Sequence, residues 1–178
     1  MFIRLDPTLG NAVVAFMNPG GIRADLSFPS SPAGEGDGNV TYGEIFTVQP
    51  FGNSMVTMTL TGAQIERVLE EQFAGCTLAT ARVLQVSDKF KYTWKASGPV
   101  CDKVDPATIM LDGVVIDPAD SYRVTVNSFL ADGGDSFPTL KLGTDRLGGA
   151  VDTDAFEAYF KAHSPVAPGP QNRITVVP

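Results

Sequence analysis

Apolar and polar positions along this chain repeat with two different spacings, one typical of strands and one typical of helices. An apolar run over residues 12–17 predicts a buried strand that ends at the turn Asn18-Pro19-Gly20-Gly21. Apolar and polar side chains alternate over residues 54–60, which predicts a second strand. The first strand stops at a pair of glycines, and a backbone without side chains there allows close approach of a ligand.

A helix is predicted directly after the second strand, because Thr61 and Gln64 have the spacing of a capping box. Apolar side chains then recur every three or four positions and form one stripe that should face the core. The stripe consists of Ile65, Val68, Leu69 and Phe73, and the predicted solvent-facing side consists of Glu66, Arg67, Glu70 and Glu71.

The rest of the pattern is typical of short strands, predicted at residues 83–86, 89–94, 108–111, 121–126 and 173–177. Asp112-Gly113 is placed to turn the chain between two apolar segments. A second helix is predicted from Thr153 to Ala162, with Thr153 as its cap and a buried edge of Phe156, Tyr159 and Phe160. Strands and helices are mixed without regular alternation, which predicts an α+β fold of mixed sheets packed with a few helices.

The length, composition and charge of the chain limit its domain organisation and the classes of partner that it can bind. With 178 residues, of which 43% are hydrophobic, the chain is long enough for one compact domain covering residues 1–178. The net charge of −7 provides no broad basic surface, so we expect neither DNA nor RNA as a partner. No apolar stretch approaches the roughly 20 residues that span a bilayer. The first residues, Met1–Leu5, lack the cationic and apolar regions of a signal peptide.

Two features of the sequence leave alternatives open. Residues 28–39 are rich in proline, glycine and serine and predict an exposed loop; its acidic residues are solvated or, less simply, bind calcium, although they lack EF-hand spacing. Cys76 and Cys101 either form one disulfide, which would suit an oxidising compartment, or remain two buried thiols.

Three predicted loops carry polar or aromatic groups beside glycines, at residues 18–23, 49–53 and 127–135. Arg23 could hold a phosphate or carboxylate with its planar guanidinium group. Phe51 and Phe129 could offer their faces to an aromatic ligand, and Asp135 could accept hydrogen bonds from hydroxyl or amino groups. Each residue alone is more simply explained by structure, but three such loops in one chain favour a binding site.

Five segments of the chain occur in a characteristic order: NPGGIRADL at 18–26, TYGEIFTVQPFGN at 41–53, LTGAQIERVLE at 60–70, RVLQVS at 82–87 and YRVTVNSFLADGGDSF at 122–137. In this order they resemble the C-terminal domain of the 5'-nucleotidase and UDP-sugar hydrolase family. The resemblance covers nearly the whole chain from Asn11 onward. Its most specific parts are GGIR, PFGN and FLAxGGD.

The resemblance implies a site that recognises a nucleotide or nucleoside. Two aromatic side chains of the family hold the base between them, and by position in the motifs they match Phe51 and Phe129. The arginine of GGIR, which matches Arg23, contacts the phosphate-bearing part of the substrate. The aspartate of GGD, which matches Asp135, binds the ribose hydroxyls. The remaining matches, Asn18 and Asn53, occupy polar positions that lie near the base in relatives.

The resemblance also implies that hydrolysis takes place elsewhere. In the family, an N-terminal domain binds two divalent metal ions and cleaves the phosphate ester, and its DxH and GNH motifs do not occur in this chain. We therefore expect no catalytic residue, metal ligand or cofactor here, and a missing catalytic domain of the same polypeptide as the partner. The single histidine, His163, lies near a predicted helix C-terminus. The family and the cysteine pair together imply an extracellular, periplasmic or cell-wall location.

The alternative is a stand-alone binding or interaction module with the same fold. Two observations motivate it: Ser87-Asp88 stands where many relatives have Ser-Gly, and the loop at residues 28–39 is long. In addition, Met1–Gly10 does not contain the arginine-bearing helix that precedes the first strand in relatives. The missing helix predicts an incomplete phosphate site, and Ser87-Asp88 predicts the loss of a close backbone contact to the base.

Overall fold

A computed structural model describes residues 10–29 and 31–178 of the chain, and the sequence expectations for Met1–Leu9 lie outside these residues. The described part contains nine strands and four α-helices. In chain order the strands are β1 (Val14–Met17), β2 (Ser54–Thr61), β3 (Gln85–Val86), β4 (Phe90–Lys95), β5 (Met110–Leu111), β6 (Val114–Val115), β7 (Ser121–Asn127), β8 (Thr144–Val151) and β9 (Ile174–Val177). The helices are α1 (Tyr42–Val48), α2 (Gly62–Glu71), α3 (Ser128–Ala131) and α4 (Asp152–His163).

The strands form two mixed sheets. The larger sheet has the order β3-β1-β7-β2-β8, in which β1 is parallel to β7 while β2 is antiparallel to both β7 and β8. The smaller sheet has the order β6-β5-β4-β9, in which only β4 and β9 are parallel. This arrangement, with four helices and no regular βαβ repeat, confirms the predicted α+β class.

One hydrophobic core includes residues of both sheets and of α2. Phe16 from the larger sheet meets Phe90 from the smaller sheet edge to face, with ring centroids 5.5 Å apart. The predicted stripe of α2 is buried in the same core, and the capping box of Thr61 and Gln64 is present. Burial of each such aliphatic or aromatic side chain contributes about 1.5–3 kcal/mol to folding. The core therefore fixes β1 and α2 to each other, and with them the loops that follow.

The polar side of α2 differs from the prediction, because Glu70 and Glu71 are buried. The Glu70 carboxylate accepts hydrogen bonds from the backbone N–H groups of Lys103, at 2.8 Å, and Val104, at 2.6 Å. The Glu71 carboxylate accepts a hydrogen bond of 2.6 Å from the Thr139 hydroxyl. A buried carboxylate needs such donors to offset its desolvation, and here they come from distant parts of the chain.

Burial raises the pKa of Glu71 above its ordinary value near 4.5, although hydrogen bonds from Thr139 and the nearby Arg67 act in the opposite direction. The stability that this group contributes is therefore fully present below its unfolded pKa and is lost as pH rises through the folded pKa. We expect the free energy of unfolding of Glu71→Gln, relative to wild type, to increase between about pH 4.5 and neutrality.

Urea unfolding of both proteins across that pH range measures this difference. Glu157→Gln is the control, since Glu157 lies on α4 and pairs with Lys161 at 2.8 Å on the surface. A Glu71→Gln difference that stays constant with pH, or changes in the same way as the Glu157→Gln difference, would exclude the proposed titration of Glu71.

Other sequence predictions are confirmed, shortened or corrected. The Asp112-Gly113 turn is confirmed, with both residues at positive φ. The strand predicted at residues 83–86 is reduced to Gln85–Val86. α4 starts at Asp152 with Val151 as its N-cap, so Thr153 is not the cap, and the edge of Phe156, Tyr159 and Phe160 is half-buried rather than buried. Three elements were not predicted: α1, β8 and α3, whose residues were predicted to form part of a loop.

The two cysteines form a disulfide, which decides between the alternatives that the sequence left open. Cys76 lies shortly after the end of α2, and Cys101 lies in the loop after β4, 25 positions further along the chain. The disulfide therefore links the end of α2 to the loop that follows β4 of the smaller sheet. Separately, none of the helices in the described part of the chain combines the length and apolar character needed to cross a bilayer.

Candidate functional site

The three loops singled out in the sequence meet at one edge of the larger sheet. Because β1 and β7 are parallel, their carboxyl ends lie at the same edge. Because β2 is antiparallel to β7, with Met55 paired to Asn127, the amino end of β2 lies at that edge too. The loops after β1 and β7 and the loop before β2 therefore border a common cleft of about 470 Å³.

All six predicted site residues line this cleft. They are Asn18, Arg23, Phe51, Asn53, Phe129 and Asp135, and the other lining residues are Pro19, Gly20, Gly21, Arg82 and Asn127. Arg82 and Asn127 had no role assigned from the sequence, although both belong to segments that carried the resemblance. Residues that are separated by more than 100 positions in the chain are thus brought together by strand topology.

Two phenylalanines present exposed faces at the cleft. The side chain of Phe51 is 55% exposed and that of Phe129 is 47% exposed. The Arg23 guanidinium carbon lies 5.7 Å from the centroid of the Phe51 ring, within the range of a cation–π contact. Such exposure of large aromatic rings in a concave surface is typical of ligand sites rather than of a core.

The glycines of the GGD segment allow Phe129 to take its position. A Cβ atom on Gly134 would lie 2.6 Å from atoms of the Phe129 ring, which is closer than real Cβ contacts. Gly133 has a φ of 78°, a left-handed conformation that glycine adopts without cost. The chain therefore turns tightly after α3, and the Phe129 ring lies directly over the backbone of Gly134.

Asp135 is held by donors on both of its carboxylate oxygens. The Asn18 amide donates a hydrogen bond of 2.7 Å to Oδ2, and the Arg82 guanidinium forms an ion pair with Oδ1. Asn18 is itself oriented by Asn127, whose amide donates to Asn18 Oδ1 at 3.0 Å. Asp135 has a φ of 53°, which is uncommon for a residue with a side chain and is often found at binding sites.

Asn127 links this network to the start of α3. Its side-chain oxygen accepts a hydrogen bond of 2.8 Å from the backbone N–H of Leu130, so it is the N-cap of the helix that carries Phe129. A single buried asparagine therefore orients both Asn18 and the first turn of α3. This double role explains why the aromatic group and the carboxylate are positioned together.

Asn18 and Asn53 differ in what they contact. Asn18 is buried, and its amide is already bonded to Asp135 and Asn127, so its main contacts are with the site itself. Asn53 lies just before β2, where its backbone carbonyl accepts from Asp152 and its side-chain oxygen accepts from the Ser128 hydroxyl at 3.4 Å. Asn53 therefore joins the loop before β2 to α3 and α4.

The charges around the cleft differ from those of the whole chain. The chain carries a net charge of −7, whereas the cleft is lined by two arginines, Arg23 and Arg82, and one carboxylate, Asp135. Arg23 is fixed through its backbone N–H, which donates to Val48 O at 2.8 Å, and through its guanidinium, which donates to Gly20 O at 3.2 Å. This local positive charge suits an anionic ligand.

Within the residues that the structure describes, no three side chains of histidine, cysteine, aspartate or glutamate lie close enough to hold a metal ion. His163 is the last residue of α4, and its ring lies 4.8 Å from that of Tyr159. In the loop at 28–39, the Glu35 carboxylate accepts a hydrogen bond from the Ala33 N–H.

A second, apolar cleft of about 440 Å³ lies beside the first, between α4 and the loop after β1. Its lining includes Ile22, Leu26, Val48 and Phe156, and it has few polar groups apart from Asp25, Asp152, Gln49 and Asn127. Asn127 lines both clefts. The apolar cleft lacks the arginines of the first cleft, so the two differ in the chemistry that they offer.

A family model described as the C-terminal domain of 5'-nucleotidases matches residues 8–142. Among curated proteins, the chain is 32% identical to a cell wall protein of Listeria monocytogenes, over 83% of this chain and 18% of that protein. It is 33% identical to the trifunctional nucleotide phosphoesterase protein of Bacillus subtilis, over 93% of this chain and 11% of that protein.

Two solved structures have folds similar to that of this chain. The chain superposes on a 5'-nucleotidase precursor from Thermus thermophilus with a TM-score of 0.76 and 33% identity, covering 93% of this chain and 32% of that one. It shares its fold with a Haemophilus influenzae NAD nucleotidase, with a TM-score of 0.72 and 20% identity, covering 94% of this chain and 30% of that one. The chain thus spans a third or less of the length of these similar proteins.

Proposed function

Because the chain belongs to the 5'-nucleotidase C-terminal domain family, we propose that it is a substrate-recognition domain that binds a nucleotide or nucleoside in the cleft described above. The base lies between Phe51 and Phe129, Asp135 binds the ribose hydroxyls, and Arg23 binds the phosphate. One observation carries the proposal: the three loops and the segment before β3 place two exposed phenylalanines, two arginines and one carboxylate around a single cleft.

The aromatic pair suits the base because both rings have large exposed surfaces. Stacking of a base on an aromatic side chain contributes about 1–3 kcal/mol per base and tolerates different bases, since each has a π-face. The Phe129 ring is supported from below by Gly134, and Phe51 is flanked by the Arg23 guanidinium. Neither ring has to leave a packed core in order to contact a ligand.

The polar groups suit the sugar and the phosphate. The Asp135 carboxylate accepts one bond on each oxygen from protein donors, and each oxygen keeps a further lone pair for a ligand hydroxyl. Arg23 has a planar guanidinium with several N–H donors, a geometry that matches phosphate oxygens. An overall charge of −7 repels a nucleotide at long range, so the two arginines of the cleft supply the local attraction.

In this proposal, hydrolysis of the phosphate ester belongs to another part of a longer protein. The similar proteins are about three times as long as this chain or longer. Two divalent metal ions would be bound by that catalytic domain and would supply the chemistry of ester cleavage there. The chain described here would bind and orient the nucleotide, and we expect it not to hydrolyse AMP by itself.

The location that we propose is outside the cytoplasm, in the extracellular space, the periplasm or the cell wall. Two observations support it: the disulfide between Cys76 and Cys101, and the similarity to a cell wall protein. Disulfides persist in oxidising compartments and are rare in the cytosol.

The proposal is tested by calorimetric titration of the chain with adenosine and with AMP. We expect both to bind and AMP to bind more tightly, by about tenfold for a charge-assisted contact with the phosphate. In Arg23→Gln, the affinity for adenosine should be retained and the advantage of AMP should disappear. The absence of binding by both ligands would contradict the proposal.

Arg67→Gln is a matched control for this prediction, because Arg67 is a half-exposed arginine that pairs with Glu71 at 3.7 Å and does not line the cleft. We expect it to retain the difference between AMP and adenosine. If Arg23→Gln also retained that difference, Arg23 would not be the phosphate ligand, although binding of the base could still be tested separately.

A further inference from the structure

Among the described residues that line the cleft, Arg82 is the charged one that had no role assigned from the sequence. It forms an ion pair with Asp135, and its side chain is 44% exposed, so the guanidinium keeps N–H groups that a ligand can reach. We propose that Arg82 determines specificity for the sugar: it positions Asp135 so that the pair recognises two neighbouring hydroxyls. This inference rests on the proposed function and goes beyond it.

The backbone that carries Arg82 is fixed by a buried glutamine. The Arg82 N–H donates to the backbone oxygen of Gln72 at 2.8 Å, and the Leu84 N–H donates to the Gln72 side-chain oxygen at 3.0 Å. The amide of Gln72 in turn donates to the hydroxyl of buried Tyr92 at 2.9 Å. Hydrogen bonds on both sides of Val83 therefore hold the segment in place.

The buried Tyr92 hydroxyl is neutral and accepts this bond, and burial raises its pKa further above the ordinary value. The chain of contacts runs from Tyr92 through Gln72 to the backbone of Arg82, and all of it is anchored in the core. A surface arginine normally samples many rotamers, and ordering it costs side-chain entropy. Here the fixed backbone and the Asp135 ion pair reduce the part of this cost that ligand binding must offset.

The two donors on Asp135 come from different loops and bind different oxygens. Arg82 binds Oδ1, and Asn18 binds Oδ2 at 2.7 Å. Together they fix the plane of the carboxylate, and each oxygen retains acceptor capacity. Two adjacent hydroxyl groups can donate to both oxygens at once, whereas a single hydroxyl uses only one. A carboxylate held on one side alone could rotate toward a single hydroxyl.

Arg82 also supplies hydrogen-bond donors, which the Asp135 carboxylate cannot provide. A hydroxyl that donates its proton to Asp135 still has oxygen lone pairs, and the free N–H groups of Arg82 can donate to that oxygen. The ion pair and the hydroxyl would then form a closed set of hydrogen bonds. Lysine has the charge but not the planar fork that serves two acceptors at fixed angles.

The test compares adenosine with 2'-deoxyadenosine by calorimetric titration of the wild-type chain, Arg82→Gln and Arg82→Lys. We expect the wild type to prefer adenosine by about tenfold, as for a hydrogen bond to a charged group. In Arg82→Gln, and also in Arg82→Lys, the preference should fall to about twofold or less, mainly through weaker binding of adenosine.

Arg67→Gln is the matched control, since the Arg67 side chain is similarly exposed, at 47%, pairs with Glu71, and does not line the cleft. We expect it to keep the full preference. Thermal unfolding of each variant shows whether the fold is retained.

Three outcomes would overturn the inference. One is an unchanged preference in Arg82→Gln, another is an equal loss of affinity for both nucleosides, and the third is full rescue by lysine. In these cases the proposed function would stand, because the wild type would still bind. Failure of the wild type to bind either nucleoside would overturn the proposed function and this inference together.

Discussion

The double variant Phe51→Ala/Phe129→Ala is expected to lose at least about thirtyfold in affinity for AMP, because each ring contributes about 1–3 kcal/mol of stacking. Both rings are about half exposed, so their removal leaves no cavity in the core. The free energy of unfolding should change by no more than about 0.5 kcal/mol per substitution. Calorimetric titration with AMP measures the loss, and urea unfolding checks the stability.

Phe28→Ala is a suitable control for the double variant. Phe28 is 74% exposed, lies in the loop at residues 28–39 and does not line the cleft. We expect it to bind AMP as the wild type does. Retention of wild-type affinity by the double variant would show that the base does not lie between these rings, and would favour a different use of this surface.

Removal of the disulfide has the second large expected effect, this time on stability. Its loop of 25 positions predicts that Cys76→Ser/Cys101→Ser lowers the free energy of unfolding by about 3.5 kcal/mol on the chain-entropy model. The bond connects the segment after α2 to the loop after β4, and within the described residues there is no free cysteine to replace it. Urea unfolding of the variant and of the wild type measures the difference.

A reductant provides the internal control for this prediction. Added reductant should lower the stability of the wild type to that of the serine variant, and it should leave the serine variant unchanged. Equal stability of the wild type and the variant without reductant would mean that the disulfide does not constrain the unfolded chain.

Much of the fold follows from local patterns in the sequence. β2 and α2 were predicted within one or two residues, because alternation, a capping box and an apolar stripe are local signals. The short strand β3 and the edge strand β8 were harder to predict, since β8 is mostly exposed and contains Gly148-Gly149 without an apolar face. It is a strand because it pairs with β2, and that pairing is not a local property.

In the site, too, some features follow from local sequence patterns and others depend on contacts between distant residues. Phe51, Phe129 and Asp135 were predicted from motifs beside glycines, and the structure places all three at one cleft. Arg82 and the burial of Glu70 and Glu71 were not predicted, because their partners lie 33 to 68 positions away along the chain. A charged side chain on a helix is usually solvated, and only tertiary contacts with Lys103, Val104 and Thr139 reverse that expectation here.

The topology of the larger sheet determines the position of the cleft. The parallel pair β1 and β7 delivers two glycine-rich loops to one edge, and antiparallel β2 delivers a third. Asn127, at the end of β7, then connects the carboxylate network to the helix that carries Phe129. Changes within these loops can alter ligand preference without changing the strands that hold them.

Binding of a nucleotide in this cleft can be located with the ¹⁵N–¹H spectrum of the labelled chain during titration with AMP. We predict that the largest chemical-shift changes occur at residues 18–23, 51–53, 82 and 129–135, and that residues 155–160 beside the apolar cleft change little. Changes concentrated at the apolar cleft would show that AMP binds there instead, and no saturable change would show that the chain does not bind AMP.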